Sequence, residues 1–135
     1  MDSGEILNVC WNQVAKQVLN IAPETMKALA ALREESKFHE RDFYPGAPNE
    51  AARLEAESAV DAMLDRLLAG LEASPTKEFV LTEFQVMLDG FDSPETEERE
   101  EICAYCERVM FILGIERSDG LLNRWLYGFD PDEVK

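Results

Sequence analysis

Apolar residues recur at three- and four-residue spacing along nearly the whole chain, and no segment sustains the alternation of a half-buried strand. A chain patterned this way buries its apolar stripes by packing helix on helix. The expected fold is therefore all-α, a single compact bundle of about six helices over residues 1–135. Its length suits one domain, and 46% hydrophobic with 30% charged residues is the balance of a folded chain, not a disordered one.

The stripe Leu7, Cys10, Trp11, Val14, Val18 and Ile21 predicts a first helix over about residues 4–20, closed before Pro23. Met26, Leu29, Ala30 and Leu32 predict a second that fades near Lys37. Pro45, Gly46 and Pro48 mark a loop from Phe38 onward, and its rings Phe38, Phe43 and Tyr44 are expected to pin it to the core. Asn49 is the expected N-cap of a third helix bearing Ala56, Val60, Met63, Leu64, Leu67, Leu68 and Leu71, broken by Ser74 and Pro75. Val80, Phe84, Met87 and Leu88 trace a fourth, stopping around Asp89 and Gly90. Ser93, Pro94, Glu95, Glu97 and Glu98 give the fifth a strong start, and Gly114 closes it after Ile102, Cys106, Val109, Ile112 and Leu113. Ser118 or Asp119 is expected to cap a last helix carrying Leu121, Leu122, Trp125, Leu126 and Phe129.

The formal net charge is −15, and residues 41–135 hold twenty-two acids against nine bases. Such a field repels phosphate backbones, which excludes nucleic acid as the expected partner, and it speeds encounter with a basic protein. No apolar run has the length of a membrane span, and the N-terminus lacks the pattern of a secretion signal. The three cysteines, Cys10, Cys103 and Cys106, are an odd number in a chain large enough to fold without crosslinks. The expected setting is the reducing cytoplasm.

Sites of chemistry are scarce. Cys103 and Cys106 form a C-x-x-C inside a helix, where small buried apolar residues are the simpler reading. With Cys10 and His39 they could supply four zinc ligands, at the expense of every cysteine and histidine in the chain. Glu35 stands four residues before His39 and could pair with it. Glu57, Asp61 and Asp65 form a row at four-residue steps, expected to face water without a sheltered site. No cofactor is expected.

The run from Gly114 to Pro131, GIERSDGLLNRWLYGFDP, is the most distinctive in the chain. It resembles the C-terminal signature of a family of small acidic bacterial proteins of unknown function, a resemblance that covers the last third and implies no catalytic motif. Within it, Arg124, Trp125 and Tyr127 serve as a structural cap or, since such residue types are enriched in binding hot spots, as a contact patch.

The leading functional expectation is a non-catalytic acidic binding domain, in its most concrete form an immunity protein or inhibitor that covers a basic site on its partner. Glu57, Asp61, Asp65, Glu97, Glu101, Arg124, Trp125 and Tyr127 are the candidate contact residues. The alternative is a metal-dependent or thiol enzyme using Cys103, Cys106 and His39 or a carboxylate cluster. A third reading is a homo-oligomer that buries the Phe38–Tyr44 loop against its copy.

Overall fold

The structure is a computed structural model that describes residues 17–91 and 96–128. Among these residues it is helical without a strand, with five helices: α1 (Pro23–Glu34), α2 (Glu50–Gly70), α3 (Lys77–Gly90), α4 (Thr96–Leu113) and α5 (Leu121–Tyr127). The predicted first helix falls outside the described residues except at its end, and there the expectation fails. Residues 17–20 are not helical, because Val18 bridges Thr76 and the Leu19 amide donates to the Pro75 carbonyl at 2.7 Å. Pairing with the α2–α3 turn satisfies those backbone groups in place of a helical turn.

Local chemistry sets the helix ends. The Asn49 side chain accepts from the Ala52 amide at 2.8 Å and caps α2, and Thr76 does the same for Phe79 at 3.1 Å in α3. Pro23 takes the first position of α1, where its missing N–H is no loss. After α4, Gly114 adopts φ +74° and the Ile115 amide donates back to Met110 at 2.8 Å, a left-handed closure that glycine allows cheaply. The Ser93–Glu95 start signal lies outside the described residues.

Helix α2 packs against α1, α3 and α4, and α5 closes on α3 and α4. Val60, Met63, Leu64 and Leu67 of α2 are buried with Leu29 and Leu32 of α1, Val80, Leu81 and Phe84 of α3, and Ile102, Cys106 and Val109 of α4. Each such aliphatic side chain contributes roughly 1.5–3 kcal/mol relative to exposure. A methyl on Gly70 would stand 2.5 Å from Phe79 Cζ, so the seating of the Phe79 ring over the end of α2 depends on glycine there. Lys77 adds a tie, its Nζ 2.9 Å from Asp119 Oδ2 in the turn before α5.

Candidate interaction surface

The acidic row of α2 is not a solvated face. Lys37, just past α1, is fully buried, and its Nζ donates to Asp61 Oδ1 at 2.7 Å and to the carbonyls of Arg33 and Glu35 at 3.2 and 2.8 Å. The ammonium thus satisfies acceptors that the end of α1 leaves open. Its own amide donates to Glu57 Oε2 at 2.7 Å. Arg33 reaches Asp65 Oδ1 at 2.8 Å and Asp61 Oδ2 at 3.3 Å, while Arg53 joins Glu57 at 3.0 Å, Glu50 at 2.8 Å and the Lys37 carbonyl at 3.0 Å. Glu57 and Asp61 are therefore structural anchors for the loop, and Asp65 is half exposed at the edge of the same network. The correction has a simple cause: Arg33 and Lys37 sit 20 to 32 residues from the carboxylates they meet. The spacing held a signal, since two cations four residues apart match acids at four-residue steps on another helix.

The loop after Lys37 divides its rings. Phe38 is 1% exposed, with centroids 5.1 Å from Tyr105 and 6.5 Å from Tyr44, and its amide donates to the Tyr105 hydroxyl at 3.2 Å. Burial pushes the Tyr105 pKa up. Tyr44 is buried as well, so two of the three rings pin the loop as expected. Phe43 is fully exposed. Both Phe38 and Phe43 have left-handed backbone, φ +65° and +68°, a conformation that costs a non-glycine residue about 1–2 kcal/mol. The oligomer reading needed the whole loop as an apolar patch; only Phe43 of its rings is available.

Beside the loop lies a cleft of about 500 Å³ lined by Ser36, His39, Arg41, Glu101, Tyr105 and Arg108, among others. Glu101, expected on the surface, is 5% exposed and takes a bidentate pair from Arg41 at 2.6 and 2.8 Å. Glu35 pairs with Arg108 at 2.8 and 3.0 Å, not with His39, whose Nε2 lies 2.6 Å from Ser36 Oγ. Ser36 and His39 are both exposed.

Of the remaining candidates, Glu97 is exposed on the first turn of α4. Arg124 donates to the Asp119 carbonyl at 3.2 Å. Trp125 is half-buried, covered by the Arg99 guanidinium at 3.9 Å and tilted against Phe91 at 6.1 Å, while the Arg99 Nη2 also donates to the Trp125 carbonyl at 2.6 Å. Tyr127 is half exposed. The Trp125 ring of this trio is thus already in contact with Arg99 and Phe91.

A family described as a domain of unknown function, DUF4844, matches residues 7–130. The chain belongs to the DUF4844 family. The match spans all five described helices and extends well beyond the C-terminal third that carried the resemblance, and a family without an assigned function is what that resemblance implied. No curated protein and no solved structure shows a significant match.

The Cys103 and Cys106 thiols of this DUF4844 domain point away from the cleft. At about 100° per residue, Glu101, Ala104, Tyr105 and Arg108 share one face of α4, and Cys103 and Cys106 lie on the opposite one. Burial pushes Cys103 up to about 12 and Cys106 well above its ordinary value. Both are protonated at neutral pH and are poor nucleophiles. Among the described residues, no three His, Cys, Asp or Glu side chains group as a metal site; Cys10 lies outside them. A Cys10→Ser chain should show no thiol titratable with a disulfide reagent while native, and two after denaturation. Rapid native labelling would contradict the burial of α4. No helix among the described residues is long and apolar enough to cross a membrane.

The ion pairs carry a pH signature. The hydrogen bond from Arg108 holds Glu35 below its ordinary 4.5, and the one from Arg53 does so for Glu50. For Glu57, burial pushes upward but the Lys37 amide and Arg53 outweigh it. A carboxylate whose folded pKa is depressed stabilises the fold above its unfolded value, and that stability is lost as pH falls through the folded one. The denaturation midpoint should hold down to about pH 5 and then decline. Arg108→Gln should make the acid-side decline shallower, and an unchanged slope would show that the Glu35 pair does not contribute.

Proposed function

We propose that the domain is a non-catalytic protein-binding module whose acidic surface meets a basic partner, in its most concrete form a bacterial cytoplasmic immunity protein or inhibitor covering a basic site. One observation carries the reading: many of the cations are engaged in intramolecular ion pairs while, among the described residues, unpaired acids project into solvent. Arg33, Lys37, Arg41, Arg53, Arg66, Lys77 and Arg108 each sit in an ion pair, seven of the thirteen lysines and arginines in the chain. Glu72, Glu78, Asp89, Glu97, Glu100, Glu107 and Glu116 are exposed. A surface of one sign raises association rates with an oppositely charged partner and loses that advantage as salt screens it. Protonated, buried thiols and an open Ser36–His39 pair support the non-catalytic side of the reading.

The test immobilises the full chain and exposes it to extract from its native source at low and high salt. A discrete protein should be retained at low salt, with a salt-slowed on-rate once purified. Retention of the same proteins by an unrelated chain of equal net charge would refute the proposal.

A further inference from the structure

We propose that Phe43 is a rigid aromatic anchor that seats in an apolar socket on the partner, ringed by lysine or arginine; the inference rests on the protein-binding reading above. Phe43 is the third residue of a four-residue turn, closed by reciprocal backbone hydrogen bonds between Arg41 and Tyr44, both 2.9 Å. Its φ is +68°, at a turn position where glycine or asparagine would be unstrained. A bulky side chain there needs a reason. Phe38 carries the same kind of strain and gains a buried ring in exchange; Phe43 gains no burial, because its ring is fully exposed. Nothing among the described residues accounts for phenylalanine at this position.

Both ends of the turn are fastened. Arg41 is clamped by Glu101, itself buried, and the Tyr44 ring lies in the core against Phe38. The ring is therefore held out from a preformed support, which reduces the ordering that binding would otherwise require. Flanking Glu40 and Asp42 are exposed acids, so the rim of a fitting socket is basic. A second copy of the chain is the poorer occupant, since two chains of −15 repel.

The experiment uses the full chain with the photoreactive residue p-benzoyl-phenylalanine at position 43 and, separately, at Val86, an exposed apolar residue of α3 with ordinary helical backbone. In native extract, position 43 should capture a discrete heterologous protein that high salt displaces, and Val86 should not. Phe43→Asn should then weaken binding of that purified protein by about ten-fold or more, with the melting temperature unchanged or raised by about 2–5 °C. Loss of binding without loss of stability is an outcome that a merely structural side chain would not produce. Capture from Val86 alone, capture only of a second copy, or undiminished binding by Phe43→Asn overturns the anchor and leaves the binding reading standing. Failure of the unmodified chain to retain any protein removes the binding reading and the anchor with it.

Discussion

Asp61→Ala is expected to destabilise the domain by about 3–5 kcal/mol, the loss typical when a buried charge is stripped of its partner. Lys37 Nζ lies 2.7 Å from Asp61 Oδ1 and its side chain has no exposed surface. Without the carboxylate, the ammonium keeps the Arg33 and Glu35 carbonyls as acceptors and loses its directly bonded counter-ion, leaving the Glu35 and Glu57 carboxylates to act on its charge without that contact. Urea denaturation reads the effect as a shift in midpoint at unchanged slope. Asp65→Ala, at the half-exposed edge of the network, should move the midpoint little. The double substitution Lys37→Met with Asp61→Leu should lose less than Asp61→Ala alone, because it removes both charges together. If the double variant is the worse of the two, the ammonium is not a buried charge in need of a counter-ion.

Phe38→Ala should cost about 3–5 kcal/mol, the usual range for deleting a buried aromatic ring. Here the order of variants is informative. Phe38 combines complete burial with φ +65°, so Phe38→Gly loses the same ring but relieves the left-handed strain that alanine keeps. Glycine should therefore be the milder change, reversing its usual rank below alanine. Denaturant midpoints of the two variants decide the matter; an alanine variant at least as stable as the glycine one would mean the backbone is not strained there. At Phe43 the same φ should give a different outcome, since no ring burial is lost.

The contrast between these two phenylalanines explains why part of the site was not legible. Both stand in the segment punctuated by Pro45, Gly46 and Pro48, and a loop has no period that separates inward from outward positions. The expectation that the rings pin the loop holds for Phe38 and Tyr44 and fails for Phe43. Glu101 shows the same limit on a helix. It stands outside the apolar run of α4, yet it is buried because Arg41 arrives from a loop 60 residues away.

Sequence alone determined the all-helical class, the N-cap at Asn49, the glycine closure at Gly114 and the apolar faces of α2, α3 and α4. These depend on groups within one or two turns of each other, so their physics is complete in a short window. Tertiary structure alone decided the fate of the charges and of the loop rings. Whether Glu57, Asp61 and Glu101 face water or a cation depends on where α1 and its loop come to rest, and only packing brings those distant groups within hydrogen-bond reach.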